Sequence, residues 1–146
     1  MPERIIQSLA IKNELSEVER ANDALRELWV RFELPEEFEV PVTVCLEEVL
    51  SNLIRHGCLP GKDYDIRVQY RILQGLPGGI EVEVSDNAGP FDPLSLPPPD
   101  LTVPLEQRET GGLGVFLVRQ IMDEVHYEHR NGRNHLLFRK RWQTPQ

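Results

Sequence analysis

The sequence predicts a two-layer fold of the α/β (α+β) class, with a mixed, mostly antiparallel sheet and helices on one face. Three observations carry this. Residues 64–73 and 80–85 alternate apolar and polar side chains across a Gly/Pro-rich turn, and residues 124–130 and 134–142 flank Asn131-Gly132, a strong hairpin signal. Two stretches between Ser16 and His56 keep apolar residues at helical spacing. The strands alternate cleanly, so one sheet face meets a core and the other meets water. Hairpins with few helices place those helices on one face. The order β, α, α, β, β, loop, α, β, β does not match a βαβ dinucleotide fold.

Taken in order, residues 4–12 are Ile-rich and partly alternating and predict a strand. Ser16, with Glu19 three residues on, predicts a capping box. Val18, Ala21, Leu25, Leu28, Trp29 and Phe32 form the apolar stripe of the first helix. Leu34-Pro35-Glu36-Glu37 breaks it and begins a second helix, with a stripe at Leu46, Val49, Leu50, Leu53 and Ile54. That helix runs to about His56, with Gly57 as its terminating glycine and Pro41 near its first turn. In the first hairpin, Tyr64, Ile66, Val68, Tyr70 and Ile72 share one side, and Ile80, Val82 and Val84 alternate with Glu81, Glu83 and Ser85. Residues 87–110 hold Pro90, Pro93, Pro97, Pro98, Pro99 and Pro104, half of the chain's 12 prolines, so no periodicity survives there. A structureless stretch of that length is usually functional, often a lid. Gly114 to Met122 predicts the third helix.

At 146 residues the chain fits one domain, 1–146. A net charge of -8 without a basic stretch argues against nucleic acid or an anionic membrane as a direct partner, since both demand Lys and Arg. Cys45 and Cys58 lack the companions of a zinc site and read as free thiols of a reducing, cytoplasmic environment. The opening residues Met1 to Ile6 carry no long apolar run, so no signal peptide is expected. No apolar stretch approaches the ~18 residues a membrane span needs.

Three segments carry chemistry. Glu48 and Asn52, four apart, project from one face of the second helix, with His56 the next step along that row. A carboxylate there can act as general base, and an amide oxygen is a hard neutral ligand suited to Mg²⁺. Asp86 ends a strand; ionised, it only accepts hydrogen bonds and so matches an exocyclic amine. Gly89 after it permits a close approach. Gly111-Gly112-Leu113-Gly114 opens a helix, where backbone N–H groups can cradle phosphate, and Thr110 adds a hydroxyl donor. No Gly-Lys-Ser/Thr follows, so this is not a Walker A loop. Arg55, Arg108 and Arg119 are further cations for phosphate, and His126, His129 and His135 read as surface or packing residues. Alone, each segment reads as a polar helix face, a turn or a hinge; together, in this order, they equip a nucleotide site.

The three segments resemble the N, G1 and G2 boxes of the GHKL ATP-binding superfamily, and within it the anti-sigma factor serine/threonine kinases, the RsbW-like proteins. The matching residues are Glu47 to Gly57, Asp86 to Pro93, and Gly111 to Val118 with Met122 to Val125. Where much of the superfamily has Asp-x-Gly-x-Gly, this chain has Ala88 and Pro90. The resemblance implies a Bergerat-type, histidine-kinase-like ATPase sandwich that binds Mg-ATP under a lid at about 93–110. It implies Glu48 as catalytic base and Asn52 as Mg²⁺ ligand, with Arg55 and His56 beside the nucleotide. Asp86 and Gly89 would meet adenine, and Thr110, Gly112, Leu113, Gly114 and Val115 the phosphates. The implied substrate is a serine or threonine of a STAS-domain anti-anti-sigma protein, with a sigma factor and a second copy of the chain as further candidate partners. The alternative is a non-catalytic ATP-binding regulatory module that sequesters a protein partner.

Overall fold

The computed structural model describes residues 5–75, 77–90, 92–95, 102 and 112–142, the side chains of Ile5, Ser95 and residues 112–115 excepted. Strand β1 (Ile5–Ile11) leads into helix α1 (Val18–Arg31) and helix α2 (Glu39–Asn52). The hairpin β2 (Ile66–Leu73) and β3 (Gly79–Asp86) follows, then helix α3 (Gly112–Ile121) and the hairpin β4 (Glu124–Arg130) and β5 (Arg133–Arg141). The five strands form one sheet in the order β1-β2-β3-β5-β4. Every pairing is antiparallel, so the mixed alternative does not occur among the described residues.

One sheet face and the helices share a core. Ile66, Val68 and Tyr70 of β2, Val82 and Val84 of β3, and Phe138 of β5 pack with Leu25, Leu28, Leu46 and Leu50 from the helices. The Tyr70 hydroxyl donates to the Ala21 carbonyl at 2.7 Å, pinning α1 to the sheet, and burial pushes that phenol's pKa up. Trp142, just past β5, stacks on Phe38 at 5.1 Å and meets the Trp29 ring edge-on at 5.7 Å. The opposite face is charged. Glu81, only 2% exposed, is held there between Arg71 and Arg139.

Local chemistry corrects several boundaries. The expected Ser16/Glu19 capping box does not form: a 3₁₀ turn, Leu15–Glu17, precedes α1, and its N-cap is Glu17, without a side-chain cap bond. The Glu17 carboxylate instead accepts from the Lys12 N–H at 3.1 Å and from Arg20 at 3.0 Å, and the Lys12 bond is the main cause of its lowered pKa. Phe32 leaves the apolar stripe because the helix has ended; Glu33 takes a left-handed φ of 49° and turns Leu34 inward. Pro41 is accommodated in the first turn of α2, where no intrahelical N–H is required.

Gly57 is not a left-handed terminator. After Asn52 the chain makes one π-helical turn, Leu53–Gly57, closed by the Cys58 N–H donating to the Leu53 carbonyl at 3.1 Å. A Cβ at Gly57 would stand 2.9 Å from Leu53 Cδ1, so the missing side chain is what lets this turn pack. Such turns are frequent at functional sites. At Gly79 the constraint is stricter, because a Cβ there would overlap the backbone carbonyl of Lys140 on β5. Gly79→Ala is expected to destabilise the fold by about 1–3 kcal/mol through this clash, read as a lower urea midpoint with an unchanged slope.

Candidate functional site

Helix α2 and strand β3 end at the same level of the fold, and a pocket lies between their ends. Val49, Asn52, Leu53 and Gly57 line it from the helix side, and Val84, Asp86, Ala88, Gly89 and Pro93 from β3 and the segment beyond. Tyr127, Asn134 and Leu136 of the last hairpin complete the wall. The empty space between these walls is about 490 Å³, open solvent at the mouth included. Among the described lining residues Asp86 carries the only charge. An apolar slot with one anionic acceptor suits a flat apolar group bearing an N–H donor.

Asp86 is 4% exposed and held on one side. Its Oδ1 accepts from the Ala88 N–H and from Asn134 Nδ2, both at 2.9 Å. Asn134 Nδ2 also reaches the Gly89 carbonyl at 3.0 Å and the Ala88 carbonyl at 3.3 Å, while its Oδ1 accepts from the Tyr127 hydroxyl at 2.5 Å. Asn87 turns away, its Oδ1 accepting from the Asp65 N–H at 2.8 Å, which ties the loop to the start of β2. Ala88, standing where much of the resembling superfamily has glycine, is buried and donates its N–H to Asp86. Gly89 has open space where a Cβ would be, and its φ is not in the left-handed region, so neither packing nor backbone conformation among the described residues requires glycine there.

Asn52 is 8% exposed, and its Oδ1 is buried without a hydrogen-bond partner among the described residues. Such an acceptor costs about 1–3 kcal/mol and calls for a ligand or another explanation. Glu48, four residues earlier on α2, is half-buried but lies outside the lining of the pocket. One turn further back, the Cys45 thiol is pushed up to about 12 by burial, and the Glu48 charge adds to the shift. Cys58 is pushed up to about 11 by burial and by Asp86. Both thiols therefore stay protonated near neutral pH and are poor nucleophiles.

The sequence-predicted residues thus divide. Asn52, Asp86 and Gly89 come together on one pocket. Arg55 and His56 sit exposed on the π turn and do not line it. Gly112, Leu113, Gly114 and Val115 form the first turn of α3, which starts two residues before the expected Gly114. Thr110, Arg108 and Gly111 lie outside the described residues, as does the expected lid except Pro93, Leu94, Ser95 and Thr102. Arg119 donates to the Leu94 carbonyl at 2.5 Å, which ties α3 to the segment after β3. His135 lies on the charged sheet face, its Nδ1 3.7 Å from Glu83. Among the described residues no cluster of three His, Cys, Asp or Glu side chains could hold a metal ion, and no helix is long and apolar enough to cross a membrane.

Sequence reasoning missed Asn134 and Tyr127. A signal for Asn134 was present: it continues the inward row of Leu136 and Phe138, where an amide has no reason to be unless it has partners. Register pairs it directly with Asp86.

Comparison with known proteins gives the same outline. The family described as histidine kinase-like ATPase domain matches residues 11–140. The serine/threonine-protein kinase BtrW of Bordetella bronchiseptica is 31% identical over 116 residues, which cover 77% of this chain and 74% of that protein. The serine-protein kinase RsbW of Listeria monocytogenes is 33% identical over 86 residues, 56% of this chain and 53% of that one, so this chain spans about half its length. The crystal structure of the RsbU and RsbW domains of Rv1364c from Mycobacterium tuberculosis superposes with a TM-score of 0.60 over 95% of this chain and 33% of that one. At 15% identity this last likeness bears on the fold alone.

Proposed function

The chain belongs to the histidine kinase-like ATPase domain family, and within it to the RsbW-like serine/threonine protein kinases; on that premise we propose that it transfers the γ-phosphoryl group of Mg-ATP to a serine or threonine of a STAS-type anti-anti-sigma partner, and so controls the release of a sigma factor. The observation that carries the reading is the buried Oδ1 of Asn52, unpartnered among the described residues, on the same pocket as the acceptor Asp86. The donor set fits the cofactor. Asp86 would accept from the adenine amine, with Val84 and Leu136 beside the base. Asn52 Oδ1 would take one position on Mg²⁺, whose remaining ligands are phosphate and water oxygens. Bound there, the metal would neutralise charge developing on the phosphates.

Glu48 would accept the proton of the attacking hydroxyl, which must approach from outside the base pocket. Helix α3 begins at Gly112, and its N–H groups offer an anion site to the phosphates. The lid at 93–110, the single-domain extent 1–146 and a role for Thr110 belong to the same proposal.

Mixing the chain with a STAS-domain protein and Mg-ATP is expected to add the mass of one phosphoryl group to the partner, on a serine or threonine. A second reading, sequestration of the partner without transfer, is favoured by the position of Glu48 outside the pocket lining. Stable, nucleotide-dependent co-elution of an unmodified partner would replace the first reading with the second.

A further inference from the structure

We propose that Tyr127 and Asn134 are positioning residues that set the base preference of the site, by fixing Asp86 as a one-sided acceptor. The inference rests on the reading of the pocket as an ATP site. Asp86 Oδ1 already accepts two N–H groups at 2.9 Å, from Ala88 and Asn134. Among the described residues no donor reaches its Oδ2. One oxygen is therefore held by the protein and the other is left for the ligand. An ionised carboxylate accepts hydrogen bonds and cannot donate them.

The orientation of the Asn134 amide decides whether this works. Turned over, it would aim its oxygen at Asp86 Oδ1 and at the carbonyls of Ala88 and Gly89. As built, its Nδ2 meets all three oxygens, and its own oxygen takes the Tyr127 hydroxyl at 2.5 Å. Tyr127 thus acts on Asp86 through Asn134, across β4, β5 and β3 in turn. The ligand group selected is an N–H donor. A 6-amino purine presents one to Oδ2; a 6-oxo purine presents an oxygen and is repelled. The last hairpin, of which only Glu124 and Val125 belong to the matched motif segments, would then tune the choice of base.

The test is a titration of ATP and ITP into the wild-type chain, Tyr127→Phe and Asn134→Asp. The wild type should prefer ATP. Tyr127→Phe keeps the ring and every backbone bond, and should lower the ATP:ITP affinity ratio about tenfold, the scale of one hydrogen bond. Asn134→Asp sets a second carboxylate against Asp86, so the pair retains a proton. It can then donate to the 6-oxo group, and the ratio should fall further, with ITP binding gained in absolute terms. A purely structural role would weaken both nucleotides in proportion. An unchanged ratio in a wild type that prefers ATP, and in both variants, overturns this inference alone. No binding of either nucleotide by the wild type overturns it together with the ATP reading.

Discussion

Replacing Glu48 by Gln is expected to slow phosphoryl transfer by about 10²–10⁴-fold, the usual contribution of a general base, with ATP affinity within about threefold of wild type. The two quantities separate because Glu48 and Asn52 occupy successive turns of α2 with different surroundings. Asn52 is buried on the pocket wall, whereas Glu48 is half-buried and outside the lining. A side chain that does not touch the base pocket has little to contribute to holding the nucleotide. On the same helix row it is placed to meet a hydroxyl brought by a partner. Gln keeps the volume and the polar reach but cannot take a proton at neutral pH. Single-turnover transfer to the partner and calorimetric titration of ATP measure the two separately. Transfer by Glu48→Gln at the wild-type rate would assign the base to another group. A parallel loss of ATP affinity would make Glu48 part of the binding surface.

Much of the fold could be read from the sequence because its signals are periodic and local. The alternation from Ile66 to Ile72, the stripe from Val18 to Trp29 and the Asn131-Gly132 turn each report a single element's buried face. The errors in the fold fall where one particular side-chain contact overrides a general pattern. Ser16 and Glu19 have the spacing of a capping box, but Glu17 is captured by Lys12 and Arg20 and the helix starts later. Gly57 sits where a terminating glycine would, yet its role is to clear Leu53 in a π turn that no local rule predicts. The site divides the same way. Asn52 and Asp86 were visible as motif residues, whereas the Tyr127–Asn134 relay depends on β5 pairing with β3, a register fixed only in three dimensions.

Asn52→Leu is expected to abolish the Mg²⁺-dependent part of ATP binding and, at the same time, to raise the stability of the ligand-free protein. The two effects have one cause. Asn52 Oδ1 is buried without a partner among the described residues, so the ligand-free fold carries the desolvation cost of an unmade hydrogen bond, about 1–3 kcal/mol. Leucine is close in size and enters a wall that already includes Val49, Leu53 and Val84. It removes the orphaned acceptor and adds apolar burial, which should raise Tm by roughly 4 °C per kcal/mol in a chain of this size. Stability gained at the cost of ligand contacts is expected where a site keeps a group unsatisfied for its ligand. Mg-ATP should raise the melting temperature of the wild type more than ATP alone does, by mass action on the folded state, whereas the variant should gain no more from Mg-ATP than from ATP alone. Thermal melts of both proteins, without nucleotide, with ATP alone and with Mg-ATP, contain every comparison. A variant that melts lower than wild type in the absence of nucleotide would mean that Asn52 contributes to the fold itself. One that still gains more stability from Mg-ATP than from ATP alone would remove Asn52 as the metal ligand, and the buried oxygen would need another explanation.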